Sequence, residues 1–111
     1  MSDRMLQVNS LLQQTLARVL SEKIEIPFDF FVTISNIDCG SDLKTAKVFV
    51  SILPFNKSQE GVGFLIRKRH EIQAELGKNI KLKFTPKLDF KLDESEQQAE
   101  EIFKTLDDIK E

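Results

Sequence analysis

The sequence predicts an α+β domain: a three-stranded mixed sheet with helices packed mainly on one face, in the order helix, strand, strand, helix, strand, helix. Three observations carry that expectation. The spacing of apolar side chains switches along the chain between a helical repeat and strict alternation, the two signatures of elements with one buried face. A strand–helix–strand run in the second half implies a right-handed crossover, and so a parallel pair beside the antiparallel pair of a hairpin. With 111 residues, 41% of them hydrophobic, the chain holds enough material for a single modest core, expected to span residues 1–111 as one unit.

Residues 5–20 space apolar side chains at Met5, Val8, Leu12, Leu16 and Val19, with Leu11 and Leu20 beside them. That is helical spacing, and Ser2 or Asp3 can cap its start. Pro27 forbids easy continuation. From Phe30, the set Phe30, Val32 and Ile34 alternates with Phe31, Thr33 and Ser35, and the composition favours a strand. Asp38-Cys39-Gly40-Ser41-Asp42 supplies turn chemistry. A second strand follows, with Ala46, Val48, Val50 and Ile52 inward.

Pro54 through Ser58 reads as a loop. The next helix places Val62, Leu65, Ile66, Arg69, Ile72 and Leu76 on one stripe, with Gly77 just past its end. From Asn79 to Ser95 apolar residues take every even position from Ile80 to Leu92, including Phe84 and Phe90. Lys81, Lys83, Lys87 and Lys91 stand between them on the opposite face. Ser95 with Gln98 resembles a capping box. Ala99, Ile102, Phe103, Leu106 and Ile109 then mark an amphipathic C-terminal helix over about 93–110.

The net charge of -2 hides two unlike regions. Residues 1–91 carry 14 Lys/Arg against 10 Asp/Glu, whereas residues 92–111 carry 2 against 8. Within 67–91 the count is 8 against 3, with His70 in addition. A cationic strand face beside Arg67-Lys68-Arg69-His70 is a footprint for phosphate backbone. Lysines and a proline also protect an edge strand, and solvated cations are ordinary on a helix surface. Arg69 falls on the apolar stripe, where a straight helix would bury an unpaired charge; a bend avoids that cost. The phosphate-contact candidates are Arg67, Lys68, Arg69, Lys78, Lys81 and Lys83.

Catalytic machinery is nearly absent from the sequence. One histidine and one cysteine, 31 positions apart, make neither a recognisable nucleophile–base pair nor a zinc site without carboxylate help. Gly61-Val62-Gly63 lacks the third glycine of a dinucleotide loop and does not follow a strand directly. No catalytic residue, metal, cofactor or small-molecule substrate is expected. A lone cysteine fits a reducing compartment, and neither a membrane-spanning stretch nor a signal-peptide pattern is seen, so the expectation is a cytoplasmic protein. Lys47-Val48-Phe49-Val50-Ser51-Ile52 offers only Phe49 for base stacking, so backbone and shape recognition fits better than stacking.

Three ordered strings together resemble ribosome-binding factor A, a bacterial assembly factor of the small (30S) ribosomal subunit. The first is Ser41-Asp42-Leu43 followed by Ala46-Lys47-Val48-Phe49-Val50. The second is Leu76-Gly77-Lys78 leading into Lys81-Leu82-Lys83 and Pro86-Lys87-Leu88-Asp89-Phe90, and the third is Asp93-Glu94-Ser95. The resemblance runs from about residue 4 to residue 95. It implies a KH-like type II fold, α-β-β-α-(kink)-α-β, to which the C-terminal helix is added. It also implies a monomer that binds 16S rRNA within the free small subunit, acting in late maturation and 5′-end processing. The family usually shows Ala-any-Gly at the helix kink. The ungapped register puts Lys68-Arg69-His70 there, while Gly61-Val62-Gly63-Phe64 looks more like the motif but needs seven extra residues. A reading of another class is a small protein-interaction domain whose acidic last helix docks a basic partner.

Overall fold

A computed structural model describes residues 3–82, 85–95 and 98. Helix α1 covers Asp3–Glu22, strand β1 Phe31–Cys39 and strand β2 Thr45–Leu53; after a short 3-10 turn at Phe55–Lys57 come α2 (Ser58–Arg67), α3 (Arg69–Asn79) and β3 (Lys87–Leu92). The sheet order is β1-β2-β3, with β1 antiparallel and β3 parallel to β2. This is the mixed sheet that the strand–helix–strand run predicted. The helices pack on the face that carries Ala46, Val48, Val50, Ile52, Leu88 and Phe90, all of them buried.

The expected inward set of β2 is fully buried. Strand β1 departs from simple alternation. Its register shifts between Ile34 and Asn36, leaving Ser35 as the extra residue of a bulge. Val32 and Ile34 lean on the core before the bulge, and Ile37 and Cys39 are buried after it. One added residue moves the inward phase from even to odd positions. Cys39 therefore ends β1 rather than sitting in the turn, and its N–H donates to Asn9 Oδ1 at 2.9 Å. The left-handed residue of the hairpin is Leu43, at φ 61, and no glycine has positive φ.

Two further expectations are corrected. Gly77 lies inside α3, which runs on to Asn79; a Cβ there would stand 3.0 Å from Thr85 Oγ1. The glycine thus admits the connection to β3 instead of capping the helix. The lysine strand is also shorter than the alternation suggested, because only Lys87–Leu92 pairs with β2. Ile80 and Pro86 are nevertheless buried ahead of it. The even–odd pattern tracks burial there without a ladder. Phe84 lies outside the described residues.

The paired glycines of α2 are structural and unlike each other. A Cβ on Gly61 would come within 2.9 Å of Ile52 Cδ1 and Cγ2, whereas one on Gly63 would meet only Arg67 Nη1, at 3.4 Å. Ile52 is buried and β-branched, so it cannot easily give way. Gly61→Ala is expected to lower stability by about 1 kcal/mol net, overpacking of about 1–3 kcal/mol outweighing about 1 kcal/mol of helix propensity. Gly63→Ala should raise it by about 0.5–1 kcal/mol. Urea midpoints measure both, and equal shifts would contradict the close approach of α2 to β2.

At the end of β3, Asp93 ties three elements together. Its N–H donates to Val50 O at 2.7 Å. Its Oδ2 accepts from Ser35 Oγ at 2.6 Å, and its Oδ1 accepts from Ser95 N and Oγ at 2.9 and 2.6 Å. Since β1 and β3 flank β2, this carboxylate reaches across the outer sheet face to the bulge. The capping role expected of Ser95 thus falls to Asp93, and Gln98 N donates to Glu94 O at 2.9 Å. The apolar stripe assigned to Ala99, Ile102, Phe103, Leu106 and Ile109 lies outside the described residues.

The hydrogen bonds from Ser35, followed by those from Ser95, lower the Asp93 pKa to about 2. A carboxylate depressed in the fold stabilises above its unfolded value of about 3.9, and that contribution is lost as pH falls through about 2. Asp93→Asn is expected to cost about 1 kcal/mol at pH 7, below the about 1.5–3 kcal/mol of a sheltered charged hydrogen bond because solvent screens it. The gap between wild type and variant should close between pH 4 and about 2. Urea midpoints across that range would expose a constant gap, which excludes the mechanism.

Candidate nucleic-acid interface

The bend predicted around Lys68-Arg69-His70 is a break between two helices. Lys68 adopts φ -92 and ψ 6, the bridge region that any L residue can enter. No glycine or alanine is needed. Two backbone bonds bracket the break: Lys68 N donates to Phe64 O at 3.0 Å and Ile72 N to Lys68 O at 2.9 Å. Leu65 before the break and Ile72 and Leu76 after it are fully buried. Ile66, assigned to the same stripe, is half exposed because the break takes it off the core.

The candidate cations form two groups rather than one patch. Arg67, Lys68 and Arg69 surround the break: the first two are exposed, and Arg69 is half-buried. Arg69 makes no ion pair among the described residues, and it is not buried as Leu65, Ile72 and Leu76 of the same stripe are. Lys68 Nζ lies 3.6 Å from Glu71 Oε2, and the Arg67 guanidinium folds back over Gly63. The second group lies at the other end of α3, about 15 Å along its axis. It includes exposed Lys78, 3.5 Å from Glu75 Oε1, and exposed Lys81. Lys83 lies outside the described residues.

The strand contributes less charge than its lysines suggested. Asp89 stands opposite Lys47 in the ladder and lies 3.6 Å from Lys91 Nζ. Lys87 sits at the strand's start, and its N–H donates to Lys44 O at 2.8 Å. The fold thereby brings Lys44, from the hairpin, beside Lys87. Sequence reasoning missed Lys44 because only the parallel pairing joins the two segments. Both are exposed and lack an ion-pair partner among the described residues. Exposed pairs such as Lys68–Glu71 are weak and screened, so a phosphate can displace the carboxylate.

Burial, and then the charges of Asp42 and Asp38, pushes the Cys39 thiol up, away from a reactive thiolate. Among the described residues no cluster of His, Cys, Asp and Glu could hold a metal ion. No helix among them is long and apolar enough to cross a membrane.

A family model described as ribosome-binding factor A matches residues 4–106. The chain belongs to the ribosome-binding factor A family. A ribosome-binding factor A from Bdellovibrio bacteriovorus is 35% identical over 107 residues, covering 96% of this chain and 80% of the relative. The solution structure of a Thermotoga maritima protein described as a ribosome binding factor A matches with a TM-score of 0.66 at 27% identity, covering 80% of this chain and 86% of that one. A Thermus thermophilus ribosome binding factor A, a homology model fitted into a cryo-EM map of a 30S complex, matches with a TM-score of 0.60 at 17% identity. It covers 86% of this chain and 97% of that one. Between β2 and β3 the chain runs as two helices, α2 and α3, broken at Lys68. This chain builds that break from three cationic residues.

Proposed function

We propose that this chain is a ribosome assembly factor that binds the free small subunit through phosphate contacts to 16S rRNA. It acts as a cytoplasmic monomer, with residues 1–111 as one unit, and assists late maturation and 5′-end processing. It performs no chemical step and holds no cofactor: it favours an immature rRNA arrangement by binding that arrangement more tightly than the mature one. The observation that carries this reading is the break at Lys68, around which Arg67 and Lys68 are exposed and Arg69 is half-buried. Lys78 and Lys81 extend the contact toward β3, with Lys44 and Lys87 at its far corner; Lys83, a further candidate contact, lies outside the described residues. Family membership supports the partner, as does the Thermus thermophilus relative fitted into a 30S complex.

The test is the salt dependence of binding to purified free small subunits. The six contacts expected from the sequence, Arg67, Lys68, Arg69, Lys78, Lys81 and Lys83, predict a slope of log affinity against log salt of about -4 to -5, at roughly 0.7–0.9 per contact. A flat response would reject electrostatic recognition of rRNA.

A further inference from the structure

We propose that the face formed by Phe28, Phe31 and Leu53 docks a protein segment of the small subunit, one carrying apolar side chains among lysines or arginines. The inference rests on the subunit binding proposed above and adds a second contact, chemically unlike the first. Pro27 leads into a turn that carries Phe28 at its tip, 99% exposed. Three residues on, Phe31 opens β1 and stands opposite Leu53 in the ladder, on the sheet face away from the helices. Phe31 is 71% and Leu53 43% exposed. Facing ladder residues have adjacent side chains, so the pair makes a continuous apolar step. Beside it lies a groove of about 760 Å³ whose walls include Leu20, Ile24, Ile26 and Pro27.

Two phenyl rings and a leucine put forward apolar area on the order of 300 Å², the scale at which an exposed patch marks an interaction site. The charges around it choose the partner. Glu25 lines the groove and Asp29 follows Phe28 in its turn; the adjoining segments 22–29 and 57–60 carry Glu22, Glu25, Asp29 and Glu60 against Lys23 and Lys57. Lys57 Nζ is already held 3.4 Å from Asp29 Oδ2 and 3.3 Å from Glu60 Oε2. The rim is therefore net acidic, opposite in sign to residues 67–91. It repels a phosphate backbone and attracts cationic side chains, which can also lie over the ring faces. A basic, apolar protein segment satisfies both features; RNA satisfies only the rings.

Binding of wild type, Phe28→Ser/Phe31→Ser and Glu25→Lys should be measured on two probes, purified free small subunits and protein-free 16S rRNA. Neither phenyl belongs to the core, and thermal midpoints within a few degrees of wild type verify folding. The double variant is expected to bind subunits at least about 10-fold more weakly, as loss of interface aromatics does, with rRNA binding unchanged. Glu25→Lys should also weaken subunit binding alone. Equal losses on both probes would instead assign the rings to base stacking. Unchanged subunit binding overturns the docking face, and an unaffected Glu25→Lys overturns the basic character of its partner. A wild-type dimer in sedimentation that the double variant dissociates would make the occupant a second copy of this chain. Failure of wild type itself to bind subunits would reject the subunit reading, an outcome distinct from all of these.

Discussion

Phe30→Ala is expected to destabilise the protein by about 3–5 kcal/mol, the range for removing a fully buried phenyl and leaving a cavity. Phe30 is 2% exposed, and its ring meets that of Phe64 edge-on, with centroids 6.0 Å apart at 67°. The pair joins the start of β1 to the middle of α2, so its loss loosens the sheet from the helix that leads to the break. A domain of this size holds only about 5–15 kcal/mol in total. The thermal midpoint should fall on the order of 15–25 °C. Phe31→Ala, one residue along on the opposite face, should change stability by within about 0.5 kcal/mol. Similar midpoints for the two variants would invalidate the assignment of the faces of β1.

Replacing Arg67, Lys68 and Arg69 together by Ala should reduce the salt slope of subunit binding by about 2–3, at roughly one per lost phosphate contact. The fold should persist. Lys68's single ion pair is exposed, and Arg69 has none among the described residues. The break also depends on backbone dihedrals open to alanine. Alanine is a better helix former than the residues replaced, however, and three in a row favour continuation of α2 into α3. Hydrogen exchange at Ile72 separates the two effects: unchanged protection with a lowered slope assigns the loss to charge. A slope unchanged in the triple variant would move the rRNA contact to the group at the other end of α3, around Lys78, Lys81 and Lys87.

Most of the architecture was legible because one-sided burial imposes a period. Ala46, Val48, Val50 and Ile52 alternate in the sequence and are buried in the structure, and the bend was legible in the misfit of Arg69 on an apolar stripe. Other features left no local trace. The bulge at Ser35 is invisible because an inserted residue changes the phase without changing the composition. The role of Gly77 was misread because close approach to Thr85 depends on a segment eight residues away. The lysine alternation overstated the strand: burial of Ile80 and Pro86 needs only an even–odd path over the core, whereas a strand needs a neighbour to bond.

What the sequence determined by itself was the order of elements, the inward set of β2, the charge contrast between 67–91 and the acidic end, and the position of the bend. These depend on residues near one another in the chain, whose apolar and charged side chains must sort between core and water. The tertiary structure alone decided that the cations divide into two groups along α3, that Lys44 joins Lys87, and that Asp89 offsets the strand's lysines. It also decided that Phe30 is core while Phe28 and Phe31 face solvent. Each of these depends on which distant segments the parallel pairing and the bulge bring together, and a one-dimensional pattern carries no record of that distance.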